Sequence, residues 1–169
     1  MKAAVHGQGV IRIREVDSPL PKDGEVLIRV HAATVCAADY RIARLLRSIL
    51  GRVIIGLREK PVIMGMEVAG TVESVGKTVT QFRAGDQVFG GTGFNFGAQA
   101  EYACALESRL AMKPVNMTLQ ESAAVSFGGL TALAFIRQAD IRAGQNVLVY
   151  GASGSVGVFA VQLAKHFGA

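Results

Sequence analysis

The chain has few cysteines and few prolines, and it lacks a long hydrophobic run. Its two cysteines, Cys36 and Cys104, are too few for a disulfide framework and suit a reducing cytoplasm. Four prolines beside twenty glycines argue for many tight turns and against a disordered or collagen-like chain. No apolar run approaches the roughly 18 residues that a membrane span needs, so we expect no transmembrane helix and no membrane partner. The N-terminus has no apolar signal core, which argues against secretion and predicts a cytoplasmic protein.

The net charge is positive, but the charged residues are scattered along the chain. A balance of +5 is compatible with a nucleic acid or with an anionic ligand. Four arginines lie among apolar residues in the pattern of an amphipathic helix: Arg41, Arg44, Arg47 and Arg52. We interpret them as a solvated basic face, with a phosphate or nucleic-acid site as the alternative. No nucleic-acid-binding motif accompanies them, so we expect no nucleic-acid partner.

The first part of the chain has the pattern of β-structure. Short runs of alternating or β-branched residues are separated by clusters of Gly, Asp and Pro. Four such runs cover Lys2–Val5, Ile11–Val16, Val26–Ala32 and Ala98–Cys104. The stretches PVIMGMEVAGTVESVG and FRAGDQVFG are further strand patterns interrupted by glycines, as expected where strands bend around a small barrel. We therefore predict a β-rich domain over residues 1–115.

The pattern changes in residues 116–169, which predict the opening of an α/β part. Thr118 and Glu121 form a T-x-x-E capping box, which predicts the start of a helix. The helical pattern continues through residues 123–137, where Gly128 and Gly129 weaken its middle, with a split there as the alternative. The run NVLVY predicts a continuous apolar strand of the kind buried on both faces of a parallel sheet, and a second helix over roughly residues 156–167 follows it. The fold class is therefore an α+β part leading into an α/β part.

A glycine-rich turn, VYGASGSVG, follows the predicted strand and opens the second helix. Its spacing is A-x-G-x-x-G, whereas the usual dinucleotide fingerprint has glycine at the first of these positions. Glycine at the second position lets the backbone approach a pyrophosphate, and the amides point from the positive end of the helix. We predict that the turn binds a dinucleotide, with a glycine-rich turn without ligand as the alternative. The predicted cofactor-binding residues in it are Ala152, Ser153, Gly154, Ser155, Val156 and Gly157.

Five stretches, in this order, resemble the medium-chain dehydrogenase/reductase superfamily on the side of its zinc-free, quinone-oxidoreductase-like members. They are AATVCAADYR, GMEVAGTVESVG, FRAGDQVFG, FGGLTAL and YGASGSVGVFAVQLAKHFGA. The resemblance implies a GroES-like β-barrel domain followed by the start of a Rossmann domain, which is a doubly wound parallel sheet. It also implies hydride transfer from a nicotinamide cofactor bound between the two domains. Family members continue through the rest of the Rossmann sheet, whereas the resemblance here ends after one strand and one helix.

The resemblance also bears on zinc. Zinc-dependent members hold the metal with a cysteine, a histidine in a G-H-E stretch, and a third ligand just before the cofactor domain. Cys36 is retained, but Met66 replaces the histidine and Ser126 stands at the third position. One thiolate does not make a three-ligand catalytic site, so we expect no zinc and interpret Cys36 as a packed side chain. His6 and His31 are the alternative ligands, and we interpret both as structural residues of strands.

The remaining site residues follow from the resemblance. It implies NADP(H) as the cofactor, with NAD(H) as the alternative, because the position that reads the ribose lies past Ala169. It implies that Tyr40 lies beside the nicotinamide as a catalytic hydrogen-bond donor, and that Thr131 touches the cofactor; side-chain packing is the alternative for both. Asp39 matches an aspartate near the active site, with a helix cap or ion pair as the alternative. We interpret Glu67 as a structural carboxylate.

We therefore predict an NADP(H)-dependent, zinc-independent oxidoreductase that transfers hydride to a quinone, enone or carbonyl substrate. Its partner is a small molecule, and the intact family member is expected to be a homodimer. The alternative is a truncated, catalytically silent GroES-like module with a binding or assembly role only, because a lone β-α unit leaves the strand edge at residues 146–150 unpaired. A nucleic-acid-binding protein is a third hypothesis and rests on net charge alone.

Overall fold

The chain folds into two compact units in a computed structural model that describes residues 1–7, 10–45 and 62–169. The first unit is Met1–Ala123 and the second is Ala124–Ala169. The boundary between predicted domains, at residues 115 and 116, stays a prediction.

The first unit consists mainly of two antiparallel sheets. One has the strand order β2-β1-β4 and the other has the order β7-β3-β5-β6-β8. The strands are β1 (Lys2–Gly7), β2 (Val10–Glu15), β3 (Glu25–Ala33), β4 (Val62–Ile63), β5 (Glu67–Val75), β6 (Gln87–Gly91), β7 (Tyr102–Leu106) and β8 (Leu110–Met112). The predicted β-rich first part is confirmed, with strand ends that move by up to four residues. One helix, α1 (Ala37–Leu45), follows β3.

The core of the first unit lies on the five-stranded sheet. Its most buried side chains come from the central strands β3, β5 and β6, and include Val26, Ile28, Val68, Val72 and Val88. Burying one such aliphatic side chain stabilises the folded state by about 1.5–3 kcal/mol, so each member of this cluster contributes to the stability of the unit.

Glycine allows the central strands to approach each other closely. A Cβ atom on Gly70 of β5 would lie 2.1 Å from the carbonyl oxygen of Arg29 on β3. The ladder between these strands also shifts register twice, between Leu27 and Ile28 and between Val30 and Ala32. Such irregularities bend a strand, as the glycine-interrupted sequence patterns predicted.

The second unit is built on two helices, α2 (Leu119–Gln138), which begins in the first unit, and α3 (Ser155–His166). The predicted capping box is present. The Thr118 amide donates to the Glu121 carboxylate at 2.8 Å, and the Glu121 amide donates to Thr118 Oγ1 at 3.2 Å. The reciprocal bonds satisfy donors that the start of a helix leaves free.

The predicted helical pattern is confirmed, and the alternative of a split at Gly128 and Gly129 is wrong, because the helix is continuous through both residues. A Cβ atom on Gly128 would lie 2.3 Å from Ser155 Oγ and 3.1 Å from the ring of Phe159. Glycine is required there for close packing of α2 against α3. Contact between the helices therefore offsets the low helix propensity of glycine, which costs about 1 kcal/mol relative to alanine.

The prediction of a buried strand at residues 146–150 is also wrong. No strand pairing involves this segment in the part of the chain that the structure describes. Leu148 and Tyr150 are 95% and 101% exposed. A strand needs a neighbour to accept its backbone hydrogen bonds, and the two units supply none here. The apolar composition of residues 146–150 is typical of a strand inside a sheet, but these residues belong to no sheet of the described structure.

The helix α2 is long and apolar enough to cross a membrane, as judged by length and composition alone. Its best window has a mean hydropathy of 1.3 and is 33% buried. The sequence-based exclusion of any such segment was too strong, because it counted uninterrupted runs and not the average. A single helix of this kind is a weak argument for a membrane protein, since core helices pass the same test.

The basic helix is only partly described. Arg41 and Arg44 lie on α1 and are exposed, as the solvated basic face predicted. Arg47 and Arg52 lie outside the described residues.

We predict that the cap of α2 weakens in acid. Hydrogen bonds from the Thr118 amide, and then from its hydroxyl, hold the pKa of Glu121 below its usual value of 4.5. A lowered folded-state pKa stabilises the fold above the unfolded-state pKa, and this contribution is lost as the pH falls through the folded value. Melting temperatures measured across this range should fall further for the wild type than for Glu121→Gln, which keeps a capping amide but cannot titrate. Parallel pH profiles for the two proteins would contradict the prediction.

Candidate functional site

The glycine-rich turn of the second unit presents free amides at the start of α3. Gly151 has a positive φ of 81°, and the Gly154 amide donates to the Gly151 carbonyl at 3.0 Å. Gly154 is the N-cap, and its carbonyl accepts the Val158 amide at 2.9 Å. The next three amides, at residues 155–157, belong to the first turn, where a helix supplies no acceptor. They lie at the positive end of the helix dipole, which favours an anion.

The two glycines of the motif have different surroundings. A Cβ atom on Gly157 would lie 2.2 Å from the Gly151 carbonyl oxygen and 2.7 Å from Ala152 Cα, so this glycine is required for the turn to close on the helix. A Cβ atom on Gly154 would meet only the Gly151 carbonyl oxygen, at 3.4 Å. The backbone at Gly154 is therefore open to an approaching group. This is the distinction between close packing and ligand approach that the fingerprint requires.

The hydroxyl residues of the turn point to the same chemistry. Ser153 and Ser155 are exposed, and Ser155 lies against Gly128 of α2. Thr131 is half-buried and lies three residues beyond Gly128, so the two share one side of α2. The structure thus gathers the predicted turn residues at one end of α3 and places Thr131 on the helix that packs there. Their contact with a cofactor stays a prediction.

In the first unit, α1 carries Tyr40 near its start. The Cys36 amide donates to Asp39 Oδ2 at 2.8 Å, and Asp39 is 4% exposed. Asp39 therefore caps the start of α1, which was one of the two alternatives to a role near the active site. Tyr40 is 67% exposed, so it is not a core packing residue of this unit. Its catalytic role stays a prediction.

Glu67 is a buried carboxylate with structural partners. It is 5% exposed and accepts a hydrogen bond from the hydroxyl of Thr34. The Thr34 carbonyl accepts a hydrogen bond from Gln99 Nε2 at 3.2 Å. Sequence reasoning missed Thr34 and Gln99, because 33 and 65 residues separate Thr34 from its two partners and no local pattern connects them.

The candidate zinc donors do not make a metal site. In the described part of the chain, no group of three or more His, Cys, Asp or Glu residues could hold a metal ion. Burial raises the pKa of the Cys36 thiol. Burial, and then the charge of Glu25, raise the pKa of Cys104 to about 11. Burial thus disfavours the thiolate form of both cysteines.

The other residues considered for zinc are placed as follows. His6 is buried in β1, and His31 is an exposed residue of β3 whose Nδ1 lies 3.0 Å from the Arg29 carbonyl oxygen. Ser126 is buried in α2, and its hydroxyl has no hydrogen-bond partner among the described residues. The donor set thus does not fit catalytic zinc, although zinc independence itself stays a prediction.

Comparison with known proteins agrees with this architecture. Residues 22–115 match the family described as the alcohol dehydrogenase GroES-like domain. The chain belongs to this family. The quinone oxidoreductase of Sus scrofa is 37% identical over 164 residues, which cover 96% of this chain and 47% of that protein. The chain thus spans about half the length of the relatives it matches.

Solved structures confirm the predicted superfamily and fold. The quinone oxidoreductase from Coxiella burnetii matches with a TM-score of 0.86 and 29% identity, over 99% of this chain and 54% of that one. A mycobacterial protein in complex with NADPH matches with a TM-score of 0.80 and 32% identity, over 99% and 51% of the two chains. An alcohol dehydrogenase from Pyrobaculum aerophilum with bound cobalt and zinc matches with a TM-score of 0.81 and 31% identity, over 99% and 57%.

We predict that the two glycines of the turn fail in different ways when they are changed to alanine. Gly157→Ala should destabilise the second unit by about 1–3 kcal/mol, because its methyl group overlaps backbone atoms. Gly154→Ala should keep the helical circular dichroism and melting temperature but weaken NADPH binding at least tenfold, because its methyl group occupies the open approach. NADPH fluorescence titration and thermal melting measure both effects.

The matched control for these variants is Gly24→Ala in the first unit. Its added Cβ atom would make an ordinary contact of 3.7 Å with Thr78 Oγ1. This variant should change neither the melting temperature nor the affinity for NADPH. If Gly154→Ala binds NADPH as the wild type does, the assignment of the phosphate approach to this residue is wrong.

Proposed function

We propose that the protein is an NADP(H)-dependent, zinc-independent oxidoreductase acting on a quinone, an enone or a carbonyl compound. The observation that carries the proposal is the turn before α3, where the backbone is open at Gly154 and closed at Gly157. A turn without ligand needs no open approach beside free amides. The relatives named as quinone oxidoreductases, and the similar chain solved with NADPH, support a nicotinamide cofactor.

The residues of the turn would bind the pyrophosphate of the cofactor. The first-turn amides at residues 155–157 would donate to phosphate oxygens, and the exposed hydroxyls of Ser153 and Ser155 would add further donors. The nicotinamide supplies the hydride when bound. Thr131, on the helix that packs against this turn, is the candidate contact on the nicotinamide side. NADP(H) is proposed over NAD(H) from family resemblance, with the NADPH complex as support.

Tyr40 is the candidate donor to the substrate oxygen. As hydride reaches a carbonyl or quinone carbon, negative charge develops on the oxygen, and a hydrogen-bond donor stabilises it. A phenol can donate this bond and then a proton. The ring of Tyr40 is largely exposed on α1, so it is accessible to a bound molecule.

Zinc independence rests on this chain's own residues. Cys36, Met66 and Ser126 occupy the three positions that the family uses, and burial raises the pKa of the only thiol among them. A buried hydroxyl and a thioether are poor zinc ligands beside thiolate, imidazole and carboxylate. A relative from Pyrobaculum was solved with bound cobalt and zinc, so the proposal rests on the donor set of this chain and not on the fold.

The remaining parts of the proposal concern the setting of the protein. We propose a small-molecule substrate without a nucleic-acid or membrane partner, a homodimer as the intact assembly, and a cytoplasmic location. Relatives described as mitochondrial and chloroplastic show that location varies within this group.

A second candidate function is a GroES-like module without catalytic activity, with a binding or assembly role. The exposed segment at residues 146–150 pairs with no strand among the described residues and favours it, because exposed apolar residues are available to contact another surface. Cofactor binding distinguishes the two candidates.

We predict that the protein binds NADPH saturably and that its NADPH-dependent reduction of a simple quinone resists a strong chelator. The chelator should change nothing, because the described residues do not form a zinc site. NADPH fluorescence measures binding, and loss of NADPH absorbance with and without EDTA measures turnover. Absence of binding at millimolar NADPH would support the silent module, and loss of activity in EDTA would refute zinc independence.

We also predict that Tyr40→Phe lowers kcat about a hundredfold and leaves the NADPH dissociation constant unchanged, because the phenol acts on the substrate and not on the phosphates. Tyr102→Phe is the control, since Tyr102 is a half-buried tyrosine on β7 of the same unit. Steady-state kinetics of both variants test the role. Equal kcat values in the wild type and Tyr40→Phe would remove Tyr40 from the mechanism.

A further inference from the structure

We propose that Thr34 is a positioning residue that fixes the start of α1 and therefore the place of the Tyr40 phenol. The inference rests on the proposed role of Tyr40. It concerns a residue to which the sequence assigned no role, and its main test is independent of turnover.

Strand pairing brings Thr34 beside Glu67. The ladder between β3 and β5 ends at the pair Ala33 and Val68. Thr34 follows Ala33 and Glu67 precedes Val68, so these two residues meet just beyond the last pair. The hydroxyl of Thr34 donates to the Glu67 carboxylate there. Because Glu67 is 5% exposed, water competes little for this bond, and a hydrogen bond is electrostatically stronger in the protein interior than at the surface.

The main chain of Thr34 is held from a second side by Gln99. Gln99 Nε2 donates to the Thr34 carbonyl at 3.2 Å. The backbone of Gln99 is itself fixed, because its amide donates to the Met64 carbonyl at 2.9 Å and its carbonyl accepts the Ala4 amide at 2.8 Å. Thr34 is therefore joined to β5 by its side chain and to the neighbouring loop by its carbonyl.

One residue, Val35, separates this anchor from the helix cap. The Cys36 amide donates to the buried carboxylate of Asp39, and the Tyr40 amide donates to the Cys36 carbonyl at 3.3 Å. Val35 is 81% exposed and adds little packing. A displacement at Thr34 is therefore transmitted to the first turn of α1, where Tyr40 lies.

Fluorine NMR of the protein labelled with 3-fluorotyrosine tests the proposal. The chain has three tyrosines, Tyr40, Tyr102 and Tyr150, and Tyr40→Phe assigns the first resonance. Thr34→Val, which keeps the shape but removes the hydroxyl, should shift or broaden the Tyr40 resonance and leave the other two unchanged. Thr34→Ser, which keeps the hydroxyl, should restore the wild-type spectrum.

The control is Thr78→Val, which removes an exposed hydroxyl bonded to the Asp23 carbonyl at 2.8 Å in the same unit. It should leave the Tyr40 resonance in place. If Thr34→Val does not fold, Gln99→Leu removes the second anchor and should move the Tyr40 resonance relative to Tyr150. An unchanged Tyr40 resonance in the folded variants, or equal changes in all three tyrosines, would overturn the positioning role.

Kinetics supply a second readout. Thr34→Val should lower kcat about tenfold with an unchanged KM for NADPH, because a misplaced donor slows the chemical step without touching the phosphate turn. A parallel loss in Thr34→Ser would contradict the proposal. A chain that binds no NADPH would overturn the proposed function and leave the fluorotyrosine result to decide the role of Thr34.

Discussion

The pairing of β3 with β5 is the constraint on which the first unit depends. These strands contribute four of the most buried side chains of the core, and they approach closely because Gly70 has no side chain to meet the carbonyl of Arg29. Hydrophobic burial sets which faces meet, and the ladder then sets which residues meet beyond its end. The bond between Thr34 and Glu67 is a direct consequence of that register. A core interaction therefore places the turn that carries the candidate active-site helix.

The second unit depends on a different constraint, the close approach of backbones at glycine. Because Gly128 has no side chain, Ser155 packs directly against α2, and because Gly157 has none, the Gly151 carbonyl packs directly against α3. These two contacts bring the start of α3 into a packed environment while Gly154 remains open. Close packing and ligand access are thus assigned to different glycines within a few residues. The dinucleotide fingerprint describes the same division, with one glycine for ligand approach and another for close packing.

Sequence reasoning succeeded where the signal was local and failed where a neighbour decided the outcome. The strands of the first unit and the capping box at Thr118 were predicted from alternation and residue type, and both are present. Glycine propensity left a split of α2 as an alternative, but the helix is continuous and packs against α3 at Gly128. The strand at residues 146–150 was predicted from apolar composition, but a strand exists only when another strand accepts its hydrogen bonds.

The sequence by itself determined the family, the β-rich first part and the glycine-rich turn before the last helix. Those features depend on the order of residues and on short-range patterns, which can be recognised without knowing the tertiary contacts. Only the tertiary structure decided that Asp39 is buried, that Tyr40 is exposed and that Thr34 bonds to Glu67. It also showed that Gly128 is a packing residue. These facts require residues far apart in the chain to be placed in space, which register and core packing do and local pattern does not.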